Sequence, residues 1–245
     1  MRIIFKAFFI FLPLLAIGQD KTYLGVELGP KFEIYQYQDN GDGLYTKPFF
    51  YSPIYGLTIG RELNKTFVSE IGLIINDYGE SFRIEGDAGY GTSDAILAIQ
   101  IPLRLKARLK IIKEKLDLVT TIGYHLAINT DYGSSGSGTS FWSSSVPGSN
   151  DSTRTETKSN YSFNKTYGLI ETGIGLAYKF NNSLNLFLSA NYLTGVKRII
   201  EVEVDYRIND APVQTGTVFS NGSYFSVVLG LRYPISQLWT GNTDD

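Results

Sequence analysis

The feature that most constrains this chain is a strict two-residue alternation of apolar and polar side chains, clearest over residues 94–110. Odd positions read Ala95, Leu97, Ile99, Ile101, Leu103, Leu105, Ala107 and Leu109; even positions include Asp94, Gln100, Arg104, Lys106, Arg108 and Lys110. A period of two belongs to a strand with one apolar and one polar face, because a helix would scatter both sets around its circumference. An earlier segment repeats the pattern, with Leu24, Val26, Leu28, Phe32 and Ile34 on one face and Tyr23, Gly25, Glu27, Gly29, Lys31 and Glu33 on the other. Six more segments follow near 51–62, 66–79, 116–130, 162–180, 183–207 and 218–235, giving eight strands. Seventeen Tyr, fifteen Phe and 25 Gly fit strands and turns better than helices.

The connections alternate in length. Short ones fall near 63–65, 111–115 and 181–182, and long ones near 36–50, 80–93, 131–161 and 208–217. Short turns at one end and long loops at the other are the pattern of an outer-membrane barrel, with turns periplasmic and loops outside. Residues 1–18 read as a cleavable signal peptide: Arg2 and Lys6 precede an apolar core over 7–17, and Ala16-Ile17-Gly18 offers a cleavage site. That core is shorter than the roughly 20 apolar residues a spanning helix needs. The chain has no cysteine, which excludes disulfides, thiolate metal sites and lipoprotein processing. Without the signal peptide, 20 basic residues face 24 acidic ones, which argues against a nucleic-acid partner.

Alternation alone does not say which face meets lipid, and a soluble barrel with an apolar core is the rival. Glycine decides between them. Gly25, Gly29, Gly56, Gly60, Gly72, Gly123, Gly173, Gly175 and Gly230 all fall on the polar face. Glycine weakens a strand unless space is short, and the interior of an eight-stranded barrel is just wide enough for side chains. The polar face is therefore expected inside. The expectation is an all-β, eight-stranded antiparallel up-and-down transmembrane β-barrel over residues 19–235, with short periplasmic turns and long extracellular loops. It would sit in the bacterial outer membrane, with residues 236–245 as a short periplasmic tail. Tyr35, Tyr55, Phe180 and Tyr192 are candidates for aromatic girdles, and Val196 to Arg207, carrying Glu201, Glu203 and Asp205, for an extension beyond the bilayer.

Two stretches carry a family resemblance. Ile99-Gln100-Ile101-Pro102-Leu103-Arg104-Leu105-Lys106 and Gly173-Ile174-Gly175-Leu176-Ala177-Tyr178-Lys179-Phe180 resemble strand motifs of the PorT-like outer membrane β-barrel proteins of Bacteroidota. The resemblance implies a barrel and a cell-envelope role without specifying an activity. It also accommodates Pro102, which lacks the N–H a mid-strand residue needs, so a bulge or local irregularity is expected there. Pro30 has no such accommodation. Gly230, Tyr233 and Ile235 in the last strand resemble the insertion signal read by the outer-membrane assembly machinery, an implied partner during biogenesis.

By parity, Glu27, Lys31, Glu33, Glu62, Glu70, Arg104, Lys106, Arg108, Glu171 and Arg232 face the lumen. Enclosed charges are costly unless paired, so these are expected to form a salt-bridged plug; a thin ion or proton path is the functional alternative. His125, the only histidine, has luminal parity and no catalytic partner that the sequence names. No catalytic residue, metal ligand set or cofactor motif emerges, so no enzyme activity and no cofactor are expected. Residues 131–160 are Ser/Thr/Gly-rich and read as a flexible loop. Phe141 and Trp142 within them are candidates for contact with an envelope protein or a surface glycan. The expectation is a non-enzymatic scaffold, surface-binding or accessory protein embedded in outer-membrane lipid, with a lipid-modifying barrel enzyme or a narrow channel as alternatives.

Overall fold

The computed structural model describes residues 22–46, 49–79, 81–85, 91–92, 96–112, 115–130, 137–145, 152–180 and 184–235. The expected signal peptide, 1–18, and the tail, 236–245, lie outside the described residues. Eight strands close into the barrel: β1 (Thr22–Ile34), β2 (Phe49–Glu62), β3 (Phe67–Tyr78), β4 (Ile96–Ile112), β5 (Leu116–Asn129), β6 (Thr166–Lys179), β7 (Asn185–Gly195) and β8 (Tyr224–Pro234). Each pairs antiparallel with its neighbours in sequence, and β1 closes on β8 with Leu24 opposite Tyr233 and Glu33 opposite Tyr224. Closure leaves the barrel no free edge, so its ladder groups satisfy one another, as hydrocarbon surroundings require.

Parity along the strands is as the sequence implies. Leu28 is 57% exposed on the outside while the adjacent Glu27 is 4% exposed within. Leu57, Leu73, Leu105, Ile122, Ile174, Leu188 and Leu229 share the outer surface. One row of directly opposed residues, Tyr192, Phe225, Phe32 and Tyr51, crosses four adjacent strands near the long-loop end. It forms half of an aromatic girdle. Tyr178 and Phe180, in edge contact at 5.9 Å, occupy the opposite end. Tyr35 is buried at the loop end and takes no part in the girdle.

The luminal glycines are places where something else occupies the space. A Cβ on Gly60 would fall on the Tyr23 ring, one on Gly230 on the Phe187 ring, and one on Gly56 on the Glu27 side chain. At Gly29 the obstacle is backbone, the Val227 carbonyl of β8. There the two prolines of the β1–β2 ladder, Pro30 and Pro53, sit opposite each other, and the β1–β8 ladder lapses between Leu28 and Lys31 without changing register. Pro102 behaves the same way. The β3–β4 ladder passes from Ile71–Leu103 to Ile74–Gln100 in unchanged register, so a missing donor interrupts pairing and no bulge is needed. The register shift lies elsewhere, between Lys110 and Ile112.

The long connections differ most from expectation. Residues 137–145 and 152–163, part of the stretch read as flexible, pair as strands Ser137–Ser145 and Ser152–Phe163. The segment read as one strand over 183–207 breaks after Gly195, and its second half, Ile200–Ile208, leaves the barrel. These strands join Gln214–Ser220 and Gln36–Asp39 in a five-stranded sheet, while Leu44–Thr46, Ser81–Ile84 and Gly91–Thr92 form a three-stranded one. Leu44, Phe82 and Ile84 of the small sheet pack with Val202, Val204, Tyr206 and Val218 of the large one. That apolar cluster continues through Ile199 and Ile200 to Tyr78, Leu169, Leu193 and Tyr224 at the barrel's upper end. Ser and Thr thus suffice for strands when a neighbouring strand supplies the ladder and the apolar face, which local composition cannot reveal.

The closeness of β1 and β8 yields the first prediction. Gly29→Ala should destabilise the barrel by about 1–3 kcal/mol, the range for overpacking a filled interior. Leu28→Ala, on the lipid side, should cost less. Urea titration of the refolded barrel in lipid vesicles measures both, and a Gly29→Ala variant no weaker than Leu28→Ala would refute the close approach.

Candidate functional site

Strand pairing brings together groups that lie far apart in sequence. β4 contributes Arg104, β1 Glu27, β3 Glu70 and β6 Glu171, and Arg104 touches all three carboxylates. Its Nη1 donates to Glu27 Oε1 at 2.9 Å and Glu70 Oε1 at 3.1 Å, and its Nε to Glu171 Oε2 at 2.6 Å. Lys106, two residues along β4 and hence on the same face, donates to Glu70 Oε1 at 2.6 Å, and Arg232 reaches Glu70 Oε2 at 3.5 Å. Tyr23 donates to the same Glu70 oxygen at 2.8 Å. Gly123, opposite Arg104 in the ladder, leaves room for the Arg104 stem and for Glu171 Oε2.

A second group lies nearer the loop end. Lys31 Nζ sits 3.2 Å from the centroid of the Tyr78 ring and 5.0 Å from that of Tyr224. It donates to the Asp77 carbonyl at 2.7 Å and lies 3.6 Å from Glu33 Oε2. Glu33 in turn accepts from Ser220 of the extracellular sheet, tying the plug to the cap. His125 and Gln100 join the two groups. His125 Nε2 lies 2.7 Å from Glu171 Oε2. His125 Nδ1 lies 2.9 Å from Gln100 Oε1; that oxygen accepts from Tyr224 at 3.1 Å, while Gln100 Nε2 donates to Tyr78 at 2.8 Å.

Eight of the ten charges assigned to the lumen are enclosed: Glu27, Lys31, Glu33, Glu70, Arg104, Lys106, Glu171 and Arg232. The other two share this parity and form an ion pair, but nearer the mouth. Arg108 and Glu62 pair at 2.7 Å at the short-turn mouth, where Glu62 keeps 38% of its side-chain exposure, because both lie at strand ends beyond the enclosed section. Parity places Gln100 and Tyr23 on the polar face without giving them a role, and Tyr78 and Tyr224 share that face; seeking partners for buried charges would have singled out all four. The space left beside Arg104, Lys106 and Arg232 is a cavity of about 10 Å³, room for a single water. Among the described residues no cluster of His, Asp and Glu is arranged to hold a metal.

The cap has its own polar knot. Asp39 accepts from Tyr206 Oη at 2.8 Å, from the Leu44 amide at 2.8 Å and from the Gly41 amide at 3.2 Å. The Gly43 amide donates to Tyr206 Oη at 3.0 Å, so this hydroxyl joins the two extracellular sheets. Burial, helped by the Asp39 carboxylate, pushes the Tyr206 phenol up to about 12. Phe141 and Trp142 lie in the edge strand Ser137–Ser145, opposite Glu156 and Thr155; their side chains lie outside what is described.

An exterior of Leu and Ile and an interior of paired charges are satisfied together only when hydrocarbon surrounds the strands. The chain is therefore a transmembrane β-barrel of the outer-membrane type, and its place is the bacterial outer membrane. No protein-family model matches the chain, and neither does any curated protein. Among solved structures it is similar to the N-terminal β-barrel domain of Pseudomonas aeruginosa OprF, at 11% identity and a TM-score of 0.42, over 87% of this chain and 97% of that one. It is similar to the outer membrane protein AlkL at 14% identity and a TM-score of 0.42, over 87% and 90% of the two chains. For Ail, the attachment invasion locus protein of Yersinia pestis, the values are 13% and 0.30, over 87% and 99%. The fold assignment rests on the barrel's own geometry.

Two outcomes follow. Arg104→Met should destabilise the barrel by about 3–5 kcal/mol, since removing one partner strands buried carboxylates; urea titration that finds the variant as stable as the parent would contradict the network. Tyr206 binds its proton more tightly folded than unfolded, so its contribution is whole below pH 10.0 and is lost as pH rises toward about 12. Limited proteolysis of the cap should accelerate across that window in the parent, and a Tyr206→Phe variant should lack that step.

Proposed function

We propose that this protein is a closed, non-enzymatic outer-membrane scaffold whose extracellular cap binds an envelope protein or a surface glycan. The observation that carries the reading is the pairing of Arg104 with Glu27, Glu70 and Glu171, which fills the lumen and leaves about 10 Å³ beside it. A solute path would need these bonds broken, and an aqueous channel belongs to barrels of about 16 or more strands. The folded cap supports a binding role, since Ile200–Ile208, Gln214–Ser220 and the small sheet share one apolar core with the barrel top and so hold the cap in place. A lipid-acting enzyme would need His125 at the membrane rim, whereas its imidazole is wholly enclosed between Gln100 and Glu171. The PorT-like reading belongs to the same proposal. Its two motif stretches fall in β4 and β6, on either side of β5, where they supply Arg104, Lys106, Gly173 and Gly175 to the lumen.

Reconstituted in a planar bilayer, the parent protein should give no unit conductance steps; regular steps would favour the channel alternative. Deleting residues 134–158 removes no barrel strand and should leave a heat-modifiable barrel that no longer co-purifies its surface partner. Co-purification that survives the deletion would discard Phe141 and Trp142 as the contact.

A further inference from the structure

Among the described residues, the short-turn end of the barrel carries an arc of basic side chains. Lys65 lies in the β2–β3 turn, and the adjoining Thr66 carbonyl accepts from the Arg108 amide at 2.8 Å, which sets this turn beside the end of β4 with its Lys110. Lys115 lies in the turn just before β5, and its carbonyl accepts from the Lys179 amide of β6 at 2.8 Å. Lys65, Lys110, Lys115 and Lys179 thus follow one another across five adjacent strands, and all four are exposed. The described acids nearby do not neutralise them. Glu62 is held by Arg108 at 2.7 Å, and Asp117 is buried, making no ion pair with Lys110 opposite it in the ladder.

A second observation sets the chemistry of the partner. The lysines are interleaved with exposed apolar side chains: Leu109 (66%), Ile111, Ile112 and Phe180 (69%), joined by Leu63 and Phe67. An acidic polypeptide would match the charge but leave these side chains in water. A phospholipid leaflet matches both, because acyl chains take the apolar groups while lysine stems reach up to the phosphates. From these two features together we infer that the arc Lys65–Lys110–Lys115–Lys179 is a binding site for anionic glycerophospholipid headgroups in the periplasmic leaflet. The inference rests on the membrane-spanning reading of the barrel and not on the surface-binding role proposed above. It gives the barrel a preferred depth and a preferred lipid at one rim. The loop end differs, since Ile200–Ile208 there bears Glu201, Glu203 and Asp205.

The test uses the full refolded protein in detergent micelles doped with phosphatidylglycerol or phosphatidylcholine, with retained lipid counted by native mass spectrometry. The parent should retain phosphatidylglycerol selectively. Each of Lys65→Gln, Lys110→Gln, Lys115→Gln and Lys179→Gln should weaken that retention about five-fold, the fold-change of about 1 kcal/mol per lysine near an anionic surface. Glu203→Gln, at the far end, should leave it unchanged. Heat-modifiability on a gel shows that each variant still folds. Equal retention of the two lipids by the parent, or lysine variants that retain phosphatidylglycerol as the parent does, would overturn the inference. So would preferential binding of poly-glutamate that phosphatidylglycerol does not displace. A barrel that refuses to enter vesicles at all would instead overturn the membrane reading beneath it.

Discussion

The structure depends on the contact between one guanidinium and three carboxylates. An eight-stranded barrel has an interior too narrow for bulk water and too large to leave empty, so what fills it decides whether the barrel can close. Here the filling is ionic. Arg104 can be enclosed because Glu27, Glu70 and Glu171 arrive from three different strands, and each carboxylate finds a cation or hydrogen donor in turn. An ionic interior has no advantage over an apolar one in net stability. Its effect is on register: slipping any of these strands by one residue would turn its charge into lipid.

Glycine completes the same arrangement. Several charged or aromatic side chains that cross the lumen lie over a residue without one: Tyr23 over Gly60, Glu27 over Gly56, Phe187 over Gly230. The interior is a set of large and absent side chains in register, and the apolar outer face follows from the same alternation. At the two ends this rule relaxes. Below, basic and apolar residues mix where headgroups meet acyl chains; above, the strands continue past the bilayer and turn their apolar side toward a second sheet.

That division explains what the sequence disclosed. Within the bilayer each strand has two environments of opposite polarity, so parity alone assigned Leu97 through Leu109 outward and Glu27, Glu70, Arg104 and Glu171 inward. The pairing partners were not legible, because parity places a residue on a face and says nothing about height along the barrel. The hydrogen bonds of Gln100, Tyr78 and Tyr224 were not legible for that reason, nor was the place of the Glu62–Arg108 pair at the mouth. Outside the bilayer the rule loses force. The Ser/Thr-rich stretch at 137–145 has no apolar periodicity of its own, and its strand exists because Ser152–Phe163 and then Ile200–Ile208 lie beside it. At Pro102 the local irregularity is a lapse in pairing and not a bulge, because an absent N–H costs a pairing without demanding a shifted register.

Which side of the strands touches hydrocarbon is the claim on which the rest stands. The chain has no cysteine, so single cysteines introduced on the outer face at Leu57, Leu188 and Leu229 can each carry one nitroxide spin label. In lipid vesicles the account predicts that dissolved oxygen, which partitions into hydrocarbon, relaxes all three labels while a water-soluble nickel chelate leaves them untouched. Labels at these positions that respond to the chelate and not to oxygen would mean that the leucine side faces water, and the account would be wrong.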